Sequence, residues 1–223
     1  MSKKCYQCFR PLKTCYCQSI TSIDTGIKFV FLMHPREAYK QKTGTGRLAK
    51  LSLQDSELII DICVVDQKLV NTLIEDPDFF PVLLYPGPDA IQANDPILKD
   101  QLQGKKLLVF IIDATWSQAR QMMRLSTNLH PLPKISFQTE YRSQFYIKQQ
   151  PKSYCLSTIE STYYLINELK DAKLINGSVN AEGLMTVFRK MVDYQHLCNV
   201  NNPKHKAGYN PSQRKSAPTE QQE

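Results

Sequence analysis

The sequence predicts an α/β protein with a mostly parallel sheet flanked by helices. Two observations support this prediction. Short apolar runs rich in branched residues recur along the chain, and such runs are typical of the buried strands of a parallel sheet. Segments with helical periodicity lie between these runs, and such alternation is typical of parallel α/β folds. A length of 223 residues with 42% hydrophobic residues is enough for one domain with its own core.

The elements follow from apolar runs and capping signals. We expect strands at residues 27–33, 57–65, 82–85, 107–112 and 134–137. Helices are expected after the basic turn at 39–50, within 66–81, from Thr115 onward, from Ser157 to about Leu169, and from Ala181 to Leu197. Pro35 disfavours helix at His34, so residues 34–37 are expected to form a loop at a strand end.

The strand at 107–112 ends at Asp113, and a helix follows at once. Thr115 can cap this helix, with Gln118 as the second half of a capping box. Asp113 and Trp116 are therefore expected at the carboxyl edge of the sheet, where open α/β sheets bind ligands. A plainer interpretation is an Asp that complements the helix dipole and a Trp that belongs to the core.

The first 20 residues carry four cysteines, Cys5, Cys8, Cys15 and Cys17, in a Cys-x-x-Cys and a Cys-x-Cys pair. Four thiolates so close together suit a tetrahedral, structural Zn²⁺ site resembling a zinc ribbon. Free thiols or an iron–sulfur site are the alternatives. We therefore expect a cysteine-rich segment at 1–22, a main domain at 23–198 and a polar, disordered tail at 199–223.

Positive charge is concentrated at the N-terminus. Residues 1–50 hold ten basic and two acidic residues, whereas residues 51–198 hold fourteen basic and seventeen acidic ones. Such segregation indicates a polyanion partner such as RNA, although solubility is the simpler explanation. No apolar run is long enough for a membrane span and no secretory signal is visible, so we expect a cytoplasmic protein with no membrane partner.

Two cationic regions are candidates for RNA contact. Arg47 follows two glycines in a basic turn that lacks a phosphate-loop signature, and it can clamp a phosphate or carboxylate or simply be solvated. Residues 140–152 interleave aromatic and basic side chains, including Arg142 and Lys148. This pattern suits stacking on unpaired bases, and it equally suits an edge strand. His34 can contact RNA or ligand, or be a structural histidine.

The turn Asp113-Ala114-Thr115-Trp116 resembles the signature of the DTW-domain family, the tRNA-uridine aminocarboxypropyltransferases. Five further stretches match in the same order, and together they span residues 5 to 160. They are the four-cysteine pattern, His34-Pro35-Arg36-Glu37, Thr45-Gly46-Arg47-Leu48-Ala49, Tyr85-Pro86-Gly87, and Cys155-Leu156-Ser157-Thr158-Ile159-Glu160. The family is grouped with SPOUT-type RNA-modifying enzymes, so the resemblance alone implies a SPOUT-like backbone with a knot.

The resemblance also implies an activity and a site. The 3-amino-3-carboxypropyl group of S-adenosylmethionine would be transferred to N3 of a uridine in tRNA, releasing methylthioadenosine. Asp113 would be the general base or the anchor of the donor's ammonium group. The residues implied in donor binding are Tyr85, Pro86, Gly87, Asp113, Thr115, Trp116, Leu156, Ser157, Thr158 and Glu160. Those expected to contact RNA are His34, Arg36, Arg47, Arg120, Arg142 and Lys148.

Two other functions fit parts of the sequence. A methyltransferase of similar fold would use the same donor and leave S-adenosylhomocysteine, although the Asp-x-Thr-Trp turn argues against it. A non-enzymatic, zinc-containing RNA-binding module would need no donor pocket and would show salt-sensitive tRNA binding. Ser157 and Glu160 also form a capping box, which accounts for both residues without any ligand.

Overall fold

A computed structural model describes residues 3–40, 43–137, 141–147 and 155–201. It contains a six-stranded sheet in the order β2-β1-β5-β3-β6-β4, and every neighbouring pair is parallel. This confirms the predicted α/β class. The strands are β1 (Lys28–Met33), β2 (Ser56–Ile60), β3 (Phe79–Leu84), β4 (Ile91–Gln92), β5 (Lys106–Asp113) and β6 (Lys134–Ser136).

Seven α-helices accompany the strands in the described part of the chain. They are α1 (Pro35–Lys40), α2 (Gly46–Ser52), α3 (Lys68–Glu75), α4 (Pro96–Leu102), α5 (Trp116–Leu125), α6 (Thr158–Asp171) and α7 (Glu182–Asn201). None of the helices in these described ranges is long and apolar enough to cross a membrane.

Strand β5 lies at the centre of the sheet, and its successive side chains pack alternately into two hydrophobic cores on opposite faces. Leu107, Val109 and Ile111 pack in one core, which also holds buried residues of α2, α6 and α7. Leu108 and Phe110 pack in the other, with buried residues of α3 and α5. Because a strand turns successive side chains to opposite faces, a strand covered on both sides is apolar throughout. This explains the unbroken apolar run in the sequence.

Several elements differ from the predictions. Residues Pro35–Lys40 form helix α1 rather than a loop, because proline is favourable at the first helical position and only His34 before it is excluded. Strand β3 begins at Phe79, three residues before the predicted start, and includes Pro81. This proline is tolerated because β6 pairs only with Leu83 and Leu84, which leaves that side of Pro81 outside the ladder.

Two further elements are not predicted, and one helix is longer than expected. Strand β4 and helix α4, which Asp95 caps by accepting from the Ile97 N–H at 2.9 Å, follow the proline-rich turn at 85–88. Helix α7 continues to Asn201, past the predicted end at Leu197 and the domain boundary at 198. Residues 202–223, most of the predicted tail, lie outside the described residues.

The cysteine-rich segment lies against the main domain. A bridge pairs Lys4 with Pro11, and the Cys5 N–H donates to the Arg10 carbonyl at 2.7 Å, which closes a tight turn. Tyr16 is buried in the core shared by α2, α6 and α7, and the Arg10 guanidinium lies 4.5 Å from its ring centre. The segment is therefore anchored to the domain through an aromatic side chain.

Candidate functional site

Asp113 is the last residue of the central strand, at the carboxyl edge of the sheet. It is paired in register with Met33 of β1, and its carbonyl accepts the His34 N–H at 3.0 Å. Asp113 is buried, with only 5% of the residue exposed. The Thr158 hydroxyl, at the start of α6, donates to the Asp113 carboxylate. The chain thus holds a buried carboxylate at the place where parallel sheets bind ligands.

Gly46, the first residue of α2, lies so close to Asp113 that no residue with a side chain would fit in its place. A Cβ atom built on Gly46 would overlap Oδ2 and Cγ of the Asp113 carboxyl group. Glycine is therefore required here by close packing. The start of α2, the end of β5 and the start of α6 meet at one carboxylate, although they lie far apart in the sequence.

Trp116 begins α5 beside Asp113, and 40% of the residue is exposed. Its indole N–H donates to Cys155 Sγ at 3.1 Å, and its ring meets Tyr85 edge-on with centres 6.3 Å apart. Thr115 caps α5 and completes the predicted capping box: its N–H donates to Gln118 Oε1 at 3.0 Å. Trp116 is thus held at its edges while part of its surface remains accessible.

Glu160 is fully buried at the start of α6, and its carboxylate accepts several hydrogen bonds from the chain. It accepts from the Gln144 N–H at 2.6 Å, the Ser143 hydroxyl at 2.8 Å, the Ser157 N–H at 2.8 Å and the Ser157 hydroxyl at 2.6 Å. Burial raises the pKa of Glu160, against these donors, which lower it. The carboxylate joins segment 141–147 to the start of α6.

His34 lies in a setting that favours its neutral form. Its Nδ1 accepts the Arg36 N–H at 3.1 Å, so the ring proton resides on Nε2. Burial, and then the Arg36 guanidinium, lowers the pKa of this imidazole. His34 therefore offers an N–H donor beside the Asp113 strand end rather than a base.

Arg47 lies between the cysteine-rich segment and Asp113. Burial lowers the pKa of its guanidinium, while the nearby Tyr39, Asp113 and Cys8 side chains oppose that shift. The guanidinium carbon lies 4.2 Å from the centre of the Phe9 ring, a cation–π distance. Its buried Nε–H has no hydrogen-bond acceptor within the described ranges. Arg47 thus brings a positive charge close to the candidate carboxylate.

The remaining candidates are distributed as follows. Pro86 and Gly87 are exposed after β3, with Tyr85 half-buried, and Leu156, Ser157 and Thr158 are half-buried beside Cys155. Arg36, Arg120 and Arg142 are exposed on three separate segments. Lys148 lies outside the described residues. The structure therefore brings the candidate donor-binding segments to one edge of the sheet, together with His34 and Arg47.

The four N-terminal cysteines converge, as the sequence predicts for a metal centre. Their Sγ atoms all lie within 4.8 Å of one another, and the Cys5–Cys17 and Cys8–Cys15 pairs are each 3.6 Å apart. Tetrahedral zinc with bonds of about 2.3 Å requires sulfur–sulfur distances of about 3.8 Å. Hydrogen bonds from the Cys8 and Gln7 backbone lower the pKa of Cys5 to about 6, which favours the thiolate. The geometry fits Zn²⁺.

A separate polar groove of about 780 Å³ lies at the opposite, amino-terminal side of the sheet. It is lined by residues 21–26 before β1 and by residues between Leu174 and Thr186 around the start of α7. Its lining consists of hydroxyl, amide and apolar groups with one carboxylate, Asp24. Because it lacks a cluster of titratable groups, we place the candidate site at Asp113 instead.

Two residues of this site were not among those singled out from the sequence. Gly46 and Cys155 belong to the matched motifs, but only their tertiary contacts reveal what they do. Gly46 makes room for the Asp113 carboxylate, and Cys155 accepts from the Trp116 indole. Membership of a motif was the one available signal for both.

Comparison with known proteins bears on this site. Residues 2–196 match the DTW domain. The chain is 28% identical over 170 residues to "tRNA-uridine aminocarboxypropyltransferase 2" of Drosophila melanogaster, covering 71% of this chain and 63% of that protein. It is 28% identical over 166 residues to the protein of that name from Macaca fascicularis, covering 70% and 53%.

A third relative, "tRNA-uridine aminocarboxypropyltransferase 1" of Xenopus tropicalis, is 24% identical over 200 residues, covering 73% of this chain and 64% of that protein. The chain thus spans between about half and two thirds of the length of these curated relatives. No solved structure matches it significantly. Because the domain match covers nearly the whole chain and includes the Asp113–Trp116 turn, this protein belongs to the DTW-domain family.

Proposed function

We propose that this protein transfers the 3-amino-3-carboxypropyl group of S-adenosylmethionine to N3 of a uridine in tRNA. The observation that carries the proposal is the buried Asp113 carboxylate beside the partly exposed Trp116, in the signature turn of the matched domain. The names of the relatives support tRNA uridine as the acceptor. The N-terminal excess of basic residues suits a polyanionic substrate.

The residues around Asp113 fit S-adenosylmethionine. A sulfonium is a cation, and the accessible Trp116 surface together with Tyr85 suits it, because aromatic faces attract cations. The exposed turn of Pro86 and Gly87 can bring backbone groups to the donor, with Leu156, Ser157 and Thr158 on the other side. Thr115 would support the donor from the start of α5, while Glu160 would act by holding Ser157 in place.

In the proposed reaction, N3 forms a bond to the propyl carbon as that carbon's bond to sulfur breaks, and methylthioadenosine leaves. Uridine N3 carries a proton and is a poor nucleophile until this proton is removed. Asp113 is the proposed acceptor of that proton, and Thr158 orients its carboxylate through the hydroxyl bond. The alternative is that Asp113 holds the donor's ammonium group and so directs the propyl carbon to N3.

The deciding experiment is mass spectrometry of nucleosides. Unmodified tRNA, drawn from cells that lack this protein, is incubated with the protein and S-adenosylmethionine. We expect aminocarboxypropyl-uridine and stoichiometric methylthioadenosine. A methylated nucleoside with S-adenosylhomocysteine would instead indicate a methyltransferase. Salt-sensitive tRNA binding without any new nucleoside would indicate a binding module.

Asp113→Asn separates the two roles of the carboxylate. If Asp113 is the base, turnover should fall by at least about 100-fold while S-adenosylmethionine still binds by calorimetry. Loss of donor binding would favour the anchor instead. Asp61→Asn is a matched control, because Asp61 follows β2 at the same edge and bonds to Gln67 and the Ile62 N–H. We expect this control to keep its activity.

A further inference from the structure

The cysteine-rich segment exposes two aromatic side chains to solvent. Tyr6 is 95% exposed and Phe9 is 58% exposed, on either side of Cys8. Both lie on the turn that the Phe9 N–H closes by donating to the Cys5 carbonyl at 2.9 Å. The metal-binding turn thus displays two rings that add little to the protein's own core.

This aromatic pair lies next to the candidate site. The Phe9 ring packs under the Arg47 guanidinium, Arg47 follows Gly46, and Gly46 abuts the Asp113 carboxylate. Tyr39, on α1, is 76% exposed, and it lies close enough to interact electrostatically with the same guanidinium. Phe9 and Tyr39 therefore both lie near Arg47, and Tyr6 shares the turn of Phe9, so exposed rings from two segments lie close to the candidate site.

The surrounding charge indicates what this surface binds. Residues 3–19 carry the four basic residues Lys3, Lys4, Arg10 and Lys13 and no acidic ones, so the rings are set in a positive field. Aromatic faces among cations are the general means by which proteins hold unpaired nucleotides, because every base has a π-face and every nucleotide a phosphate.

We propose that Tyr6, Phe9 and Tyr39 form a stacking platform for unpaired nucleotides that flank the target base in the RNA substrate. The inference rests on the proposed function for the identity of that RNA. The platform holds the neighbouring nucleotides by stacking and phosphate contact, and the target base is left free to enter the site at Asp113. The cysteine-rich segment is then part of substrate binding as well as a structural appendage.

The test uses Tyr6→Ala and Tyr39→Ala, since both side chains are exposed. Leu12→Ala is the matched control, because Leu12 is a large apolar residue, 55% exposed, on the same segment but without a ring. Affinity is measured by fluorescence anisotropy with a tRNA transcript and with a short single-stranded oligouridylate. Each tyrosine variant should bind either RNA about tenfold more weakly. Tyr6→Trp should restore binding, and Leu12→Ala should bind as the parent does.

Several results would overturn the platform. Parental affinity in both tyrosine variants would do so, as would an equal loss in Leu12→Ala, which would indicate a general disturbance of the segment. Self-association that is lost in Tyr6→Ala while RNA affinity stays parental would assign the surface to protein contact. Zinc content and S-adenosylmethionine binding, measured on each variant, should remain parental if stacking alone is removed.

The platform and the proposed reaction fail independently of one another. If the parent protein modifies tRNA but the tyrosine variants bind RNA normally, the reaction is retained and the platform is refuted. If no aminocarboxypropyl-uridine forms but single-stranded RNA binding depends on the rings, the platform is supported and the reaction is refuted. Mass spectrometry and anisotropy on the same preparations distinguish these outcomes.

Discussion

Asp113 is surrounded by residues from three distant parts of the chain. The His34 N–H bonds its carbonyl, the Thr158 hydroxyl bonds its carboxylate, and Gly46 leaves room for that carboxylate. The sequence predicts that Asp113 lies at a strand end, because the apolar run stops there. The family resemblance implies that Asp113 and Thr158 share one site. The contacts with His34 and Gly46 are not predicted, since these residues reach Asp113 only through the packing of β1 and α2 around β5.

Gly46→Ala should disable the site while the fold persists. The added methyl group must displace the Asp113 carboxylate or the start of α2, and overpacking of this kind costs about 1–3 kcal/mol of stability. A carboxylate moved by about 1 Å loses about 100-fold in rate. The nucleoside assay and thermal melting measure both effects.

Gly177→Ala is the control for that substitution, because a Cβ at Gly177 would meet no atom within 4 Å. It should keep parental turnover and melt within about 2 °C of the parent, as surface substitutions do. If Gly46→Ala were as active as Gly177→Ala, the close approach to Asp113 would have no catalytic consequence.

At the scale of elements, capping signals predict helices α5 and α6, whereas the apolar run at 57–65 overstates strand β2, which ends at Ile60. The shortest strand, β4, is not predicted. The capping boxes that begin α5 and α6 involve residues three positions apart, so the sequence displays them in full. Strand β4 has two residues and no periodicity to detect. The loop expected at 34–37 is instead the start of helix α1, because Pro35 excludes helix only at His34 and itself occupies the first helical position.

Glu160→Gln should loosen the junction between α6 and segment 141–147. An amide places an NH₂ donor among the N–H and hydroxyl donors of Ser143, Gln144 and Ser157, which leaves buried groups without acceptors. The expected cost is about 1–3 kcal/mol of unfolding free energy. Hydrogen exchange at the amide of Gln144 should accelerate accordingly.

Glu182→Gln provides the comparison, since Glu182 also lies in the first turn of a helix but pairs with Arg189 near the surface. Removing a surface pair of this kind costs about 0–1 kcal/mol. Equal destabilisation by the two substitutions, or unchanged exchange at Gln144 in Glu160→Gln, would argue against a positioning role for Glu160.

At the scale of the whole molecule, strand and helix alternation predicted the parallel sheet, and the matched segments indeed meet at its carboxyl edge. Strand order could not be read from the sequence, because the places of β1 and β3 beside β5 depend on crossover connections. The knot implied by the resemblance stays a prediction, as do the roles of Arg36, Arg120, Arg142 and Lys148 in binding RNA.

We expect the cysteine-rich segment to require zinc for its folded structure, whereas the main domain should stay folded without the metal. Metal analysis should find one zinc per chain, and Cys8→Ser should lower that content by more than half. Because the segment contributes mainly Tyr16 to the domain core, we expect the melting transition of the sheet to persist in this variant.

Cys63→Ser is the control, since Cys63 lies after β2, outside the cluster, and bonds to the Leu125 carbonyl. Its zinc content should equal that of the parent. Iron in place of zinc, or no bound metal at all, would refute the assignment. Collapse of the whole domain on losing the metal would show that the segment is integral to folding.

Trp116 is the only tryptophan in the 223 residues, and it begins α5 directly beside Asp113. The chain's indole fluorescence therefore originates at the edge of the sheet where the chemistry is proposed. Its emission is an optical label that the protein carries without modification, with a sulfur atom 3.1 Å from the indole nitrogen. Ligand binding at this edge can therefore be followed in real time by tryptophan fluorescence, in the intact chain and in every variant that retains Trp116.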